Sequence, residues 1–394
     1  MFNAYKKITF IIRAIFLNNM FKISSQDKEA RAGTLKTRHG IVKTPFFMPI
    51  ATKGTPKAVS PKDLEEIGTE AIIANAFVLH LKPGLDILQK FNGIHRFMKW
   101  DKTIFTDSGG FQILSKAFLH KADEKGVHFK NPYDGSIKFF TPEDIMEIEK
   151  AIGSDVAMAL DYVPHYGNNE EYIAECTRIT HLWAERCVKS HSDKKQLLFG
   201  ICQGGTFKEL REKSCKFINK LDFDGIALGG LGIGEGREIM YNTIKFSTKH
   251  LDKEKPRYLM GVGSPEDIVT SVELGVDAFD SRFPTMNARH GGIFTSKGKI
   301  NIEKAMYRDE EEPLDENCKC PVCKNYSKAF IHHLYRTHEP IKERYGSIHN
   351  LYFIQNLMKN LRKSIEKNEF KDFKKEFFTN YKLNEKKVTK FTYG

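Results

Sequence analysis

Short runs of apolar and β-branched residues recur along the chain, and each is followed by a helix-like segment. Eight runs have the length and composition of buried strands: residues 46–49, 71–75, 103–106, 155–160, 197–201, 225–228, 257–260 and 276–279. Strands that alternate with helices favour a parallel sheet. Eight units predict a closed (β/α)8 barrel, although an open doubly wound sheet would give a similar pattern.

Three predicted helices begin with the same short motif, at residues 60–63, 141–144 and 264–267. In each, a Ser or Thr is followed directly by proline and, three positions after the hydroxyl, by aspartate. The hydroxyl and the carboxylate satisfy free N–H groups of the first turn, and proline suits the first helical position. These motifs mark helix starts and carry no functional information by themselves.

Polar residues and glycines concentrate directly after the predicted strands: Asn75, 107–110, Asp161, 203–205, Gly229, Gly230, 261–263 and Asp280. The C-terminal strand ends of a barrel meet at one mouth, where barrel enzymes keep their active sites. One carboxylate there is easily explained as a helix cap. Three of them predict catalysis, because closely spaced carboxylates separate their pKa values and can act as nucleophile and proton carrier.

A length of 394 residues suits one barrel with a small appendage. The formal net charge of +12 favours a polyanionic partner, either nucleic acid or an anionic membrane. A lysine-rich solvated surface would give the same value. The first 19 residues hold an apolar run that Arg13 interrupts and that is too short to span a bilayer. We expect this extension to be disordered or not native, with Met20 as an alternative start.

Seven cysteines are an odd number for a disulfide framework, and three of them crowd into residues 318–323. This usage predicts a reducing compartment, the cytoplasm, and a metal site. Three thiolates and one imidazole make a closed structural zinc site. Four histidines lie near enough in sequence to supply the imidazole: His332, His333, His338 and His349.

Five segments together resemble the signature segments of the tRNA-guanine transglycosylases: TDSGGFQ at 106–112, GICQGG at 200–205, YLMGVG at 258–263, FD at 279–280 and PTMNAR at 284–289. The resemblance extends from about residue 31 to about residue 377. It implies a TIM (β/α)8 barrel with a C-terminal zinc-binding subdomain. It also implies a glycosyltransferase that exchanges guanine at wobble position 34 of tRNAs with GUN anticodons (Asp, Asn, His, Tyr) for a 7-deazaguanine.

The resemblance implies a role for each matching residue. Asp280 is the expected nucleophile at C1′, which forms a covalent enzyme–RNA intermediate, and Asp107 is the expected general acid and base. The expected base-binding residues are Asp107, Ser108, Gly109, Gly110, Phe111, Asp161, Gln203 and Gly230, with Phe111 stacked on the ring.

The resemblance also implies two further groups of residues. The expected anticodon-loop contacts are Gly261, Val262, Gly263, Ser264, Pro265, Glu266, Asp267, Thr285, Met286, Asn287, Ala288 and Arg289. Met286 stands where many members of the family have arginine. The expected ligands of a single structural Zn²⁺ are Cys318, Cys320, Cys323 and His349.

The incoming base is predicted to be preQ1, because a branched side chain at Ile233, just after the Gly229–Gly230 turn, would crowd the larger ring of queuine. Two departures from the family pattern lie near the base pocket, at residues 75–78 and 161–164, and they leave queuine open as an alternative. The resemblance further implies a homodimer formed through the zinc region and no membrane partner.

We expect four regions: an extension at 1–21, the barrel at 22–312, a zinc-binding helical subdomain completing the barrel at 313–380, and a basic tail at 381–394. Within them, the pattern loosens between residues 291 and 312, and the acidic run 309–312 is predicted to be a loop. Residues 326–336 and 350–366 are predicted to be helices. From residue 371 we expect a frayed helix or coil.

Three alternative functions explain fewer of these sequence features. An ordinary barrel glycosidase accounts for the carboxylates but not for the cysteines or for residues 284–289. A non-catalytic tRNA-binding partner subunit would not need three aspartates at the mouth. An archaeal-type enzyme that acts elsewhere in the tRNA would need C-terminal RNA-binding modules, and we expect none in the roughly 45 residues after His349.

Overall fold

The structure is a computed structural model that describes residues 20–110 and 119–382. The expectations for the first 19 residues, for Phe111 and for residues 383–394 lie outside the described residues. Sixteen strands are described: β1 (Phe21–Asp27), β2 (Ala30–Thr37), β3 (Gly40–Thr44), β4 (Phe46–Pro49), β5 (Ala71–Asn75), β6 (Thr103–Asp107), β7 (Leu119–Asp123), β8 (Gly126–Lys130), β9 (Ile137–Phe140), β10 (Val156–Met158), β11 (Leu197–Cys202), β12 (Gly225–Leu228), β13 (Arg257–Leu259), β14 (Ala278–Ser281), β15 (Gly292–Thr295) and β16 (Gly298–Asn301).

The described helices follow the strands in alternation over most of the chain. They are α1 (Pro61–Glu66), α2 (Ala76–Leu81), α3 (Leu85–Lys90), α4 (Ile94–Met98), α5 (Pro142–Ile152), α6 (Glu170–Ser190), α7 (Lys208–Lys220), α8 (Arg237–Thr248), α9 (Pro265–Glu273), α10 (Phe283–Arg289), α11 (Pro321–Asn325), α12 (Lys328–Arg336), α13 (Ile341–Glu366) and α14 (Phe370–Asn380). A short 3₁₀ helix spans Ala305–Tyr307.

Eight parallel strands form the central sheet, in the order β4-β14-β13-β12-β11-β10-β6-β5. The two ends of this sheet meet where Ile50 pairs with Ile73 in a parallel bridge. The N–H of Ala51 donates to the carbonyl of Ile73 at 2.7 Å at the same place. The sheet is therefore a nearly closed barrel, and the predicted fold class is confirmed.

The inside of the barrel is a packed apolar core. Side chains from alternate strand positions fill it, among them Phe46, Met48, Phe105, Phe199 and Tyr258, all of them buried. The rings of Phe105 and Phe199 lie 5.6 Å apart between centroids, edge to face. The other strand face packs on the helices, so these strands are apolar on both sides. This burial explains why all eight strands could be recognised from short apolar runs.

The three proline motifs begin helices, as predicted. The side chains of Ser60, Thr141 and Ser264 each accept a hydrogen bond from the N–H of the aspartate three positions later. At Ser60 and Thr141 the aspartate also accepts from the cap backbone N–H. Helices α1, α5 and α9 consequently start at fixed positions relative to the strands before them.

Two antiparallel sheets were not predicted. Strands β1, β2 and β3 form one of them, and Arg31 of β2 reaches Asp277, just before β14, with nitrogen–oxygen distances of 2.9 and 2.5 Å. Both side chains are buried. Strands β7, β8 and β9 form the other sheet, inserted between β6 and α5. Half-exposed strands have mixed composition, so the apolar-run pattern did not reveal them.

The C-terminal predictions need correction. The hairpin β15–β16 was not predicted; it lies in the segment 291–312, where the sequence pattern loosens, and its Phe294 is buried against α13. The predicted loop at 309–312 contains no helix or strand. The helix predicted at 350–366 begins at Ile341, the helix predicted at 326–336 begins at Lys328, and the chain beyond Phe370 continues as α14 to Asn380.

Tertiary contacts explain these differences. Gly346 lies inside α13, where an added Cβ would come 2.1 Å from the hydroxyl of Tyr335, so a glycine that resembles a helix break is required by close packing. Helix α13 packs on β4, α9 and α10. The boundary proposed at residue 312 stays a prediction. In the part of the chain that the structure describes, no helix is both long and apolar enough to cross a membrane.

Candidate active site and metal centre

The barrel mouth brings together the polar side chains that the sequence placed at strand ends. Asp107 ends β6, Asp161 follows β10, Gln203 follows β11 and Asp280 lies in β14. Asp161, Gln203 and Asp280 are buried, so their polar groups are shielded from bulk water. In such surroundings hydrogen bonds and charges act more strongly than in water.

Asp161 and Gln203 form a pair at one side of the mouth. Nε2 of Gln203 donates to Oδ2 of Asp161 at 2.5 Å, while Oε1 of Gln203 is buried without a hydrogen-bond partner in the described residues. A Cβ added at Gly230 would lie 2.5 Å from that Oε1. Because Gly230 has no side chain, the amide of Gln203 can approach the backbone closely. Oε1 of Gln203 is an unpaired acceptor, which indicates that a bound ligand would donate a hydrogen bond to it.

Burial and the nearby charge of Asp107 raise the pKa of Asp161, the hydrogen bond from Gln203 opposes the shift, and the net pKa is about 7. A carboxyl group with this pKa changes its charge near neutral pH. It can therefore present either an acid or a carboxylate to a bound ring.

Asp280 is held by two donors on the same oxygen. The hydroxyl of Tyr258 lies 2.5 Å from Oδ1, and the N–H of Gly261 donates to Oδ1 at 2.8 Å. Burial raises the pKa of Asp280, while these two hydrogen bonds act in the opposite direction. Since no described residue bonds Oδ2, that oxygen is the one available for a reaction.

Asp107 is oriented from the neighbouring strand. Nδ2 of Asn75 lies 3.2 Å from Oδ2 of Asp107, and Oδ1 of Asn75 accepts the N–H of Val78 as the cap of α2. Behind β6, Glu149 is fully buried and accepts a hydrogen bond from Thr106. Burial raises the pKa of Glu149 well above its usual value, and the charge of Asp107 adds to the effect. Burial thus favours the uncharged form of Glu149 beside Asp107.

The turn after β6 needs its two glycines. Gly109 has φ +88°, and an added Cβ would lie 2.4 Å from Cβ of Phe77. A Cβ at Gly110 would lie 2.7 Å from the carbonyl oxygen of Asp161. Ser108 is buried beside the same loop, with its hydroxyl 3.4 Å from the carbonyl of Ala159. The turn therefore packs directly against Phe77 and the backbone of Asp161.

Arg211 was missed by the sequence analysis. Its buried guanidinium donates to the carbonyls of Gly205, Cys202 and Gly229 at 2.6, 3.0 and 2.8 Å. These carbonyls belong to the ends of β11 and β12 on either side of Gln203. The helical spacing of residues 211, 214, 215 and 218, which form the buried face of α7, is the signal that would have revealed it.

The residues predicted to contact an anticodon loop differ in exposure. Gly261 is exposed, whereas residues 262–266 are buried. Asp267 is engaged within the protein: Arg237 lies 3.0 Å from it, and the hydroxyl of Tyr241 donates to it at 2.6 Å. Of the five predicted contacts in α10, Thr285 and Ala288 are buried, whereas Met286, Asn287 and Arg289 are partly exposed.

A cavity of about 200 Å³ is lined by Gly230, the glycine against the Gln203 amide, although neither Asp161 nor Gln203 is part of its wall. Gly230 and Ile233 line it on one side, and Tyr166 and Ile173 contribute to the other walls. The loop that carries Ile233 is held by Glu235, whose carboxylate accepts the N–H of Ile233 at 3.1 Å. The side chain of Ile233 therefore limits the space that a ring substituent could enter.

The four predicted metal ligands lie together. Their ligand atoms are all within 4.8 Å of one another: Cys318, Cys320, Cys323 and His349. Nδ1 of His349 is 3.7, 3.5 and 3.2 Å from the three sulfur atoms, in chain order. Nε2 of His349 lies 2.7 Å from the carbonyl of Phe294, which can only accept, so Nδ1 carries the lone pair that faces the sulfurs.

The competing histidines have other contacts or positions. Nδ1 of His332 lies 2.7 Å from the carbonyl of Ile302, and His333 is exposed. Nδ1 of His338 lies 3.3 Å from the ammonium of Lys342. The cluster with His349 can therefore bind a metal ion through three thiolates and one imidazole, and it leaves no position for a substrate in a four-coordinate site.

The fold and the site define a (β/α)8-barrel enzyme with carboxylates at its mouth and a Cys₃His centre apart from them. The chain matches the family model described as Queuine tRNA-ribosyltransferase over residues 26–383. It is also similar to proteins named queuine tRNA-ribosyltransferase from three bacteria. The relative from Thermoanaerobacter sp. (strain X514) is 46% identical over 357 residues, which are 90% of this chain and 95% of that protein.

The relative from Dictyoglomus turgidum is 46% identical over 367 residues, covering 92% of this chain and 95% of its own length. The relative from Francisella tularensis subsp. novicida is 44% identical over 362 residues, covering 92% and 99%. The chain belongs to the queuine tRNA-ribosyltransferase family. It is therefore a tRNA-guanine transglycosylase, a pentosyltransferase with a tRNA substrate.

Replacing Cys320 by Ser should lower the metal content and the thermal stability together, because closure of the site is coupled to local folding. Metal analysis of the purified protein and a thermal unfolding curve measure both. The exposed His333→Gln variant is the matched control and should keep the metal. A folded, metal-free Cys320→Ser protein with the wild-type melting temperature would contradict this ligand assignment.

Asp161→Asn should stabilise the protein at pH 8 and have little effect near pH 4. The folded-state pKa of Asp161, about 7, is above the ordinary 3.8. Its contribution to stability is therefore complete below pH 3.8 and is lost as the pH rises through 7. The gain at pH 8 is expected to approach roughly 4 kcal/mol. Urea unfolding at both pH values measures it, with the exposed Asp101→Asn as control. Equal effects of Asp161→Asn at the two pH values would exclude the raised pKa.

Proposed function

We propose that this enzyme exchanges guanine at wobble position 34 of tRNAs with GUN anticodons for preQ1, through a covalent enzyme–RNA intermediate. The observation that carries the proposal is the geometry of Asp280. Two donors occupy its Oδ1, while no described residue bonds Oδ2. A carboxylate oriented in this way is suited to attack at a sugar carbon.

In the first step, Oδ2 of Asp280 forms a bond to C1′ as the bond from C1′ to guanine breaks. The leaving guanine takes up a proton, and Asp107, held by Asn75, is the residue that we assign as its donor. Asp107 then accepts a proton from the incoming base, which displaces Asp280. Two displacements at one carbon retain its configuration.

The environment of Asp280 supports a nucleophilic role. Burial raises the pKa of Tyr258 well above its usual value, and the adjacent charge of Asp280 adds to this effect, so the hydroxyl stays a donor. The N–H of Gly261 supplies the second donor. Both groups offset part of the cost of a buried carboxylate.

The Asp161–Gln203 pair is assigned to recognition of the purine edge. An ionised Asp161 accepts N–H groups of the base, and Oε1 of Gln203 offers a further acceptor that is otherwise unpaired. Gly230 allows the ring to approach the backbone, with Ser108, Gly109 and Gly110 on the facing turn. To reach this pocket, the nucleotide must leave its stack in the anticodon loop.

We assign the RNA loop contacts to residues 261–267 and 285–289. Among them, the exposed backbone of Gly261 and the partly exposed side chains of Met286, Asn287 and Arg289 are directly accessible. The buried members shape the segments that carry them. Single-stranded loops are the usual targets of sequence-specific RNA recognition, because their bases can be turned outward.

The Cys₃His centre is assigned to one structural Zn²⁺, because thiolates and an imidazole in a closed set are the ligands of such sites. We also propose a homodimer formed through this region. Phe330 is exposed there, and its ring lies 5.3 Å from that of Tyr326, which stacks on Tyr345 at 4.8 Å. An exposed aromatic group of this kind suits a protein interface. None of the seven cysteines, all of which lie in the described part of the chain, forms a disulfide, which supports a cytoplasmic location.

Ile233 is proposed to set the preference for preQ1 over queuine. In competition between the two bases, the wild type should incorporate preQ1, and Ile233→Gly should shift the ratio towards queuine by roughly tenfold or more. Ile233→Val keeps a branched side chain and should keep the preference. Nucleoside analysis of the tRNA measures the ratio. Preferential use of queuine by the wild type would overturn this assignment.

Asp280→Asn and Asp107→Asn should fail in different ways. Asp280→Asn should give no denaturation-resistant enzyme–tRNA adduct and essentially no exchange, because the bond to C1′ cannot form. Asp107→Asn should bind tRNA normally and exchange guanine roughly 10²-fold to 10⁴-fold more slowly.

A denaturing gel of enzyme, tRNA and an unreactive guanine analogue detects the adduct. An adduct that survives in Asp280→Asn and disappears only in Asp107→Asn would reverse the two roles. Exchange by the wild type without any covalent species would indicate direct displacement.

A further inference from the structure

The insertion sheet β7–β8–β9 has an exposed face that no part of the proposed reaction uses. Strand register places Lys130 opposite Ile137 and His128 opposite Phe139, so these four side chains share one face. Ile137 and Phe139 are 53% and 39% exposed, and Tyr133, in the turn between β8 and β9, is 48% exposed. We call the four side chains of this face, Lys130, Ile137, His128 and Phe139, together with Tyr133 of the adjoining turn, the β9 face.

The β9 face is tied to the catalytic pocket through its reverse side. Phe129 and Phe140 point inward and pack on Phe77, with ring centroids 4.7 and 6.2 Å away. Phe77 in turn contacts the turn at Gly109, next to Asp107. The sheet is therefore a fixed part of the mouth, so a ligand in the pocket lies next to it.

The charge of this region favours an anionic partner. Lys130 and Lys82, whose ammonium lies 5.5 Å from the Tyr133 ring centre, form no ion pair within the described ranges. The acidic groups of the sheet are already engaged. Asp123 pairs with Lys121, Glu124 pairs with Arg178, and Asp134 accepts hydrogen bonds from Ser136 in its own turn.

The position of the β7–β9 sheet on the barrel indicates that the anionic partner is the RNA substrate. The insertion follows β6, whereas the proposed anticodon-loop segments follow β13 and β14. In the strand order, β6 and β14 are separated by β5 and β4, so the two regions lie on different sides of the mouth. An RNA chain whose nucleotide enters the pocket has to leave it across the rim.

We propose that the β9 face is a second RNA-binding surface, on which unpaired nucleotides of the tRNA beside the exchanged guanosine stack. Tyr133 and Phe139 supply rings for the bases, and Lys130 and Lys82 meet the phosphates. Base stacking on aromatic side chains combined with basic groups along the backbone is the general mode of single-strand binding. The inference rests on the proposed exchange at position 34.

The test measures binding of an anticodon stem-loop that contains the wobble guanosine, at low and at moderate salt, together with guanine exchange at saturating RNA. The double variant Tyr133→Ala/Phe139→Ala should bind roughly fivefold or more weakly. Lys130→Gln should reduce the salt slope of the affinity by about one. Exchange at saturating RNA and the KM for free base should stay at wild-type values.

Matched controls lie at the opposite end of the barrel. Ile41→Ala removes an exposed apolar side chain on β3, and Lys220→Gln removes an exposed lysine at the end of α7. Both should bind RNA like the wild type. Thermal unfolding of every variant checks that its fold is intact.

Wild-type RNA affinity and salt slope in the β9-face variants would overturn the proposal, while wild-type exchange activity would leave the proposed function standing. A wild type that binds the stem-loop without exchanging guanine would instead contradict the proposed function. If the variants lose self-association, seen by sedimentation, and keep their RNA affinity, the β9 face is a contact between two copies and the proposal fails.

Discussion

Closure of eight parallel strands into a barrel is the constraint on which the rest of this molecule depends. The interior is filled by apolar side chains, so polar groups can occupy only the strand ends. Because all strands run in the same direction, residues far apart in sequence, such as Asp107 and Asp280, must meet at one small mouth. The bridge between Ile50 and Ile73 completes this arrangement.

Within the mouth, each carboxylate has a different environment. Asp280 is fixed by two donors on one oxygen, whereas Asp161 has a single amide donor and loses most of its solvation. Burial and the charge of Asp107 together raise the pKa of Asp161 to about 7. Arg211 supports the arrangement from behind, since its guanidinium joins the ends of β11 and β12 around Gln203.

The Cys₃His cluster is joined to the barrel mouth by hydrogen bonds. His349 connects it to the hairpin β15–β16 through the carbonyl of Phe294, and Asn350 donates to the carbonyls of Pro284 and Gly292. These bonds link α13 to α10, which begins directly after the strand of Asp280. Loss of a metal ion bound at the cluster would therefore loosen the segment beside Asp280.

The sequence alone indicated the eight strands, because strands buried on both sides are mostly apolar and need no long-range information to be recognised. Closure of the sheet into a barrel was decided by the tertiary structure. The sequence also determined the cysteine cluster, whose spacing is local, and the position of the carboxylates directly after the strands. The catalytic roles of these carboxylates are proposals that rest on the family resemblance. The half-exposed sheets, Arg211 and Glu149 were decided by tertiary structure. Their roles depend on partners such as Gly229 and Thr106, which only folding brings near. Gly346 shows the same limit: locally it resembles a helix end, but contact with Tyr335 makes it part of one continuous helix.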